Sequence, residues 1–116
     1  MTTVGEALDD FESAWIAHQP FTPQTAYRRT LRLLRLFLKE HGPDLARPLT
    51  ELDAGVPAAF VRWHRRHALT DDAEGTRKVA VHMARLGDYL AAHYGLADLA
   101  VGRDALRALV PDLDDA

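Results

Sequence analysis

Basic side chains recur at helical spacing in the second quarter of the chain, at Arg28, Arg32, Arg35 and Lys39. Intervals of 4, 3 and 4 residues place them in one narrow stripe of a helix. Such a stripe can contact successive phosphates of a DNA strand, and a guanidinium can bind a phosphate through two hydrogen bonds. No acid interrupts the stripe before Glu40, which favours phosphate binding. The alternative is that it is only the solvent-exposed face of an otherwise apolar helix.

A second and weaker basic stripe follows at Lys78, His82 and Arg85. Thr76 and Arg77 fall near the first turn of the same predicted helix, where a hydroxyl, a guanidinium and free backbone amides could share a phosphate. The acids at positions 71, 72 and 74 oppose that site, and their alternative role is to complement the helix dipole. The predicted DNA-contact set is Arg28, Arg32, Arg35, Lys39, Arg77, Lys78 and Arg85.

Between the two stripes, one short segment combines three arginines with two histidines. The arginines are Arg62, Arg65 and Arg66, and the histidines are His64 and His67. They would extend the DNA-binding surface, more strongly below a pH of about 6.5, where histidine becomes charged. A metal site on the histidines is disfavoured because no cysteine or carboxylate lies at matching spacing. We expect neither a metal nor another cofactor.

The sequence contains no pattern typical of an enzyme. It has no glycine-rich phosphate loop and no Gly-x-Ser-x-Gly elbow, and its carboxylates concentrate in the flanks. Asp9, Asp10 and Glu12 are interpreted as a solvated helix face. Trp15 and Trp63 could stack on bases, but both fall at core positions of predicted helices, so burial is favoured. The sequence therefore predicts a binding module and not an enzyme.

Composition indicates one globular domain of 116 residues, 47% hydrophobic and 27% charged. The absence of cysteine excludes disulfides and cysteine-based zinc sites. An acidic start and the lack of a long apolar run predict a soluble, cytoplasmic protein without a membrane segment. The net charge is −3, yet residues 22–94 hold twelve Lys and Arg against eight Asp and Glu. This segregation favours an anionic partner for the central part of the chain.

Hydrophobic periodicity predicts five helices and no strand, and therefore an all-α fold. The helices are expected at about residues 4–18, 22–41, 53–67, 71–94 and 103–110. The predicted N-terminal signals are a capping box of Thr3 and Glu6, Thr22 as N-cap with Pro23 at the first helical position, and Thr70 or Asp71 as N-cap. The predicted C-terminal signals are Gly42 and Gly95.

The order of these elements and several short stretches carry a resemblance to a known family. The second helix opens with Thr22-Pro-Gln-Thr25-Ala-Tyr-Arg-Arg and continues as Tyr27-x3-Leu31-x2-Leu34-x2-Phe37-Leu38 to Gly42. Further stretches are Leu49-Thr50-Glu51-Leu52, Phe60-Val61, Leu69-Thr70, Thr76-Arg77 and the run from Leu86 through Tyr89-Leu90 to Gly95. Over about residues 8–96 they resemble the N-terminal core-binding domain of tyrosine recombinases, the phage-type integrases.

That resemblance implies a single SAM-like domain over residues 1–116, built as a four- to five-helix orthogonal bundle of helix hairpins. Its core would cover about residues 4–96, followed by a short C-terminal helix and an acidic tail. In the family this domain forms half of a clamp around DNA. The resemblance thus implies an accessory module for DNA integration, recombination or processing, which contacts duplex phosphates with little sequence preference.

The chain departs from the family because the catalytic domain, with its Arg-His-Arg set and nucleophilic tyrosine, is absent. Tyr27, Tyr89 and Tyr94 are not interpreted as nucleophiles, since the first two fall at core positions and the third ends a helix. The alternative function is a protein–protein interaction or oligomerisation module without DNA binding. Its acidic terminal segments would bind a recombinase or a second copy of the chain. A fragment of a longer protein is a further alternative, which Met1 and the acidic end disfavour.

Overall fold

The computed structural model describes residues 2–67, 73–96 and 98–113. These residues form five α-helices and no strand, which confirms the predicted all-α class. The helices are α1 (Val4–Ala14), α2 (Phe21–His41), α3 (Val56–Arg66), α4 (Ala73–Tyr94) and α5 (Asp98–Leu109). Two short 3-10 turns cover Ile16–His18 and Leu49–Glu51. The chain divides into two compact units, Met1–Leu52 and Asp53–Ala116.

Helix α1 begins at the predicted capping box. The Glu6 backbone N–H donates to Thr3 Oγ1 (3.1 Å), and the Thr3 backbone N–H donates to Glu6 Oε1 (3.0 Å). The predicted helix to residue 18 is divided, because α1 ends at Ala14 and a 3-10 turn follows. Pro20 explains the division, since it holds Gln19 in an extended conformation and the chain tightens before it.

Helix α2 begins slightly before its predicted start. Pro20 is the N-cap and Pro23 occupies the third helical position, so the prediction of Thr22 as N-cap was wrong. Pro23 fits there because the first four backbone N–H groups of a helix have no intrahelical partner. The predicted end is confirmed: Gly42 has a φ of 77° and its N–H donates to the Leu38 carbonyl oxygen (2.7 Å).

Aromatic rings join α1 to α2 in the first unit. The rings of Phe11 and Trp15 stack with centroids 5.0 Å apart, and Trp15 meets the edge of Tyr27 at 4.9 Å. Phe11 is buried, as are Leu8 on α1 and Leu34 on α2. Apolar contact therefore determines how these two helices pack.

The second unit is formed by α3, α4 and α5, which contact one another. Its core side chains include Phe60, Trp63, Met83, Leu90 and Leu106. The predicted burial is confirmed for Trp63, with 7% of the residue exposed, whereas Trp15 in the first unit is only half-buried. Gly95, with a φ of 70°, follows the last residue of α4 as predicted. The predicted N-caps of α4, Thr70 and Asp71, lie outside the described residues.

Helix α5 begins at Asp98, five residues before its predicted start. Gly102 lies inside it, against the backbone carbonyl oxygen of Ala54. Glycine inside a helix is normally unfavourable, but here only glycine leaves room for the contact. None of the helices among the described residues has the length and the apolar character that a membrane crossing requires.

Candidate functional site

The four basic residues predicted as one stripe on α2 fall into two groups. Arg32 and Lys39 are exposed on the outward face of the helix, together with Arg29. Arg28 and Arg35 lie on the side that faces α1. Within the described part of the chain, no carboxylate oxygen lies within 4.0 Å of a side-chain nitrogen of the outward three. The outward basic face is defined here as Arg29, Arg32 and Lys39.

Arg35 is bound by two carboxylates of α1. Its Nη2 lies 2.8 Å from Asp9 Oδ1, and its Nη1 lies 3.4 Å from Glu12 Oε1. Only 27% of the Arg35 side chain is exposed. Arg28 Nε lies 4.0 Å from Glu12 Oε2, and its Nη1 donates to Gln24 Oε1 at 3.0 Å. The face that carries Asp9 and Glu12 is in contact with solvent, as predicted, and the ion pairs with Arg35 are a further role that the sequence did not predict.

Arg29 is absent from the predicted contact set, although the sequence contains the signal for it. Leu31, Leu34 and Leu38 define the buried side of α2. At about 3.6 residues per turn, position 29 lies almost opposite that side, whereas position 35 lies on its flank. The regular spacing of the basic residues predicted a stripe. The positions of the buried leucines, however, determine which of the cations face outward.

Two large apolar side chains accompany the outward basic face. Phe21, the first residue of α2, is 82% exposed, and Leu36 is 46% exposed. Phe21 precedes Arg29 by eight residues, and Leu36 follows Arg29 by seven and precedes Lys39 by three, so they lie on the same side of the helix. This side of α2 therefore combines positive charge with apolar surface.

The second predicted stripe, on α4, is interrupted at its centre. Lys78 and Arg85 are exposed, but His82 is only 8% exposed, so its inclusion in an exposed stripe was wrong. Burial, together with the charges of Lys78 and Arg85, lowers the pKa of His82 to about 4. The imidazole is therefore neutral at physiological pH and adds no positive charge to this surface.

Arg77 and Thr76 do not form an open phosphate site. Arg77 Nε lies 3.1 Å from Asp112 Oδ2, and Thr76 is buried. Arg77 borders a cleft of about 350 Å³ with Arg65, but Glu74 and Asp112 also line it. Two carboxylates thus offset two guanidinium groups, and the cleft lacks the positive excess that an anion needs.

Helix α3 presents a further group of cations in the second unit. Arg62, Arg65 and Arg66 are exposed, and no carboxylate among the described residues lies within ion-pair distance of them. Of the two histidines, His64 is buried and His67 is exposed, with its Nδ1 2.9 Å from the Trp63 carbonyl oxygen. Nowhere in the described ranges do three or more potential metal ligands gather.

Comparison of the chain with known proteins finds no matching family model and no significant match among curated proteins or solved structures.

Proposed function

We propose that the protein binds duplex DNA through its phosphates, with the outward basic face of α2 as the principal contact. The supporting observation is that Arg29, Arg32 and Lys39 are exposed and that the described carboxylates leave them unpaired. From Arg29 to Lys39 the helix rises about 15 Å, which spans several phosphates of a duplex. Such cations bind phosphate without first giving up an ion pair.

The remaining predicted contacts contribute unequally to this proposal. Lys78 and Arg85 are exposed on α4, and Arg62, Arg65 and Arg66 are exposed on α3 of the same unit. Arg35 and Arg77 must exchange a carboxylate for a phosphate, whereas Arg28 is 45% exposed and lies 4.0 Å from the nearest carboxylate oxygen. Contacts of this kind carry little sequence information, so we expect weak sequence preference and strong salt dependence.

An accessory role in DNA integration, recombination or processing is the biological context that we propose. It depends on the sequence resemblance to the core-binding domain of tyrosine recombinases. The DNA binding itself depends on the geometry of α2, and it can be tested without reference to that family.

The test is a fluorescence anisotropy titration of labelled duplex with the wild type and two double variants. The first variant, Arg29→Gln/Arg32→Gln, removes two cations of the outward basic face. The second variant, Arg47→Gln/Arg107→Gln, is the control. The control pair removes the same charge from arginines already bound to Glu51 and Asp104. If each outward arginine contacts one phosphate, the first variant loses about 60-fold in affinity at 0.1 M salt, and its salt slope falls by about 1.8. Equal losses in both variants, or no binding by the folded wild type, would overturn the proposal.

A second candidate function is an interaction module that binds an acidic amphipathic helix or another copy of the chain. The exposure of Phe21 and Leu36 beside the outward basic face favours it. Phe21→Ser/Leu36→Ser would weaken association with a protein partner or a second copy while leaving all cations in place. Sedimentation velocity and anisotropy on the same samples separate this function from DNA binding.

A further inference from the structure

Helix α1 places negative charge against basic side chains of α2. Its eleven residues contain Glu6, Asp9, Asp10 and Glu12 and no Lys or Arg. Two of the four carboxylates, those of Asp9 and Glu12, bind the two terminal nitrogens of Arg35. Oxygens on two terminal nitrogens reproduce the way in which a guanidinium holds a phosphate.

The position of α1 does not depend on these charges. The capping box fixes its first turn, and Val4 and Gly5 donate backbone hydrogen bonds to the carbonyl oxygens of Arg47 and Leu45 at 2.9 Å. The rings of Phe11 and Trp15 also pack against Tyr27 of α2, with centroids 6.5 and 4.9 Å apart. Neutralising Asp9 and Glu12 should therefore leave the helix in place and free the cations that it covers.

The ion pairs are nevertheless accessible to a competing anion. The Asp9 side chain is 76% exposed and that of Glu12 is 36% exposed. A phosphate that approaches α2 from solvent can replace Asp9 at Arg35 without unfolding the unit. The α1 carboxylates then compete with DNA for the same guanidinium groups.

We infer that α1 is an autoinhibitory element: Asp9 and Glu12 act as internal phosphate mimics that hold Arg35, and partly Arg28, away from DNA. This inference rests on the proposed function. It predicts two states of α2, one in which the two carboxylates hold Arg35 and one in which Arg35 is available beside Arg29, Arg32 and Lys39. A basic partner that bound α1, or any change that neutralised the two carboxylates, would shift the protein to the second state.

The experiment compares Asp9→Asn/Glu12→Gln with a charge-matched control, Glu40→Gln/Asp104→Asn, by anisotropy on labelled duplex over about 50 to 200 mM salt. Both variants remove two negative charges, and Glu40 lies beside Lys39 on α2 itself, yet neither control carboxylate contacts Arg28 or Arg35. Circular dichroism verifies that each protein is folded. A third variant, Asp9→Asn/Glu12→Gln/Arg35→Gln, asks whether the gain requires Arg35.

Release of Arg35 adds about one phosphate contact, so the α1 variant should bind about eightfold more tightly at 0.1 M salt than the wild type, with a salt slope steeper by about 0.9. The gain should be absent from the control and should disappear in the Arg35→Gln background.

Equal gains in the α1 variant and the control, when the wild type also binds, would overturn the autoinhibition but not the DNA-binding function. If neither the wild type nor the α1 variant binds, both the DNA-binding function and the inference fail. Binding by the α1 variant alone would support the autoinhibition, but it would overturn the proposal that the outward basic face is sufficient for binding by the wild type.

Discussion

Gly102 of α5 lies so close to the backbone carbonyl oxygen of Ala54 that no Cβ fits at position 102 without movement of the chain. The obstructing atom belongs to the backbone, which cannot rotate away as a flexible side chain can. The contact ties α5 to the segment that precedes α3 within the second unit. Only glycine fits at this position, although its helix propensity is lower than that of every other residue except proline.

We predict that Gly102→Ala lowers the free energy of unfolding by about 1–3 kcal/mol, because the added methyl group forces the two segments apart. In an unobstructed helix interior, the same substitution would raise it by about 1 kcal/mol. Urea unfolding therefore distinguishes the two cases by the sign of the change. A stabilised variant would show that α5 does not approach Ala54 this closely.

Substitutions in the two groups of arginines on α2 should have different effects: one should weaken DNA binding and the other should lower the free energy of unfolding. Arg29→Ala should leave the free energy of unfolding unchanged and weaken DNA binding about eightfold at 0.1 M salt, since it removes one phosphate contact. Arg35→Ala should cost about 0.5–1 kcal/mol of stability, because it breaks the ion pairs with Asp9 and Glu12. Urea unfolding and anisotropy on both variants measure the two effects. If both variants lost the same stability and the same DNA affinity, the assignment of Arg29 and Arg35 to different faces of α2 would be wrong.

His82 should make the protein less stable in mild acid. Its pKa is lowered to about 4 in the folded chain from an ordinary value near 6.5, so between these values the unfolded state binds a proton that the folded state does not. Stability is therefore retained above pH 6.5 and falls as the pH decreases towards 4, by as much as about 3 kcal/mol.

The contribution of His82 is isolated by comparing His82→Gln with the wild type in urea at pH 5 and pH 7. The variant should lose less stability between pH 7 and pH 5 than the wild type, whatever its absolute stability. Parallel losses in the two proteins would show that His82 keeps an ordinary pKa and is not the source of the pH dependence.

The capping box of α1 should contribute measurably to the first unit. Thr3→Ala removes the hydroxyl that accepts from the Glu6 backbone N–H, which should cost about 1 kcal/mol. Thr2→Ala is the matched control, because no described side-chain hydrogen bond involves Thr2 and the same type of residue is replaced. Thermal unfolding of both variants provides the comparison. A loss of the same size in Thr2→Ala would assign the effect to the N-terminal segment in general.

Local signals predicted most of the helix ends. Thr3 with Glu6, Gly42 and Gly95 all act within one turn of their own helix, and all three predictions are confirmed. The start of α2 was misplaced because Pro20 and Pro23 can each occupy a helix N-terminus, and local sequence does not distinguish them. The start of α5 was placed too late because Gly102 suggests a break until its contact with Ala54 is known.

The candidate site was less predictable because its charges are arranged by tertiary contact. Asp9 and Arg35 are 26 residues apart in sequence, and no spacing rule links them. The burial of His82 follows from packing within the second unit and not from its distance to Lys78 or Arg85. The outward position of Arg29, in contrast, could have been predicted from the pattern of buried leucines on α2.

The two tryptophans are divided between the units, with Trp15 in the first and Trp63 in the second. Trp15 stacks on Phe11 of α1 and touches Tyr27 of α2, so its emission reports directly on whether these helices stay together. Trp63→Phe would leave a single tryptophan at that junction, and Trp15→Phe would leave one in the core of the second unit. The protein thus carries one intrinsic optical probe per unit, and the melting of each can be recorded separately without any added label.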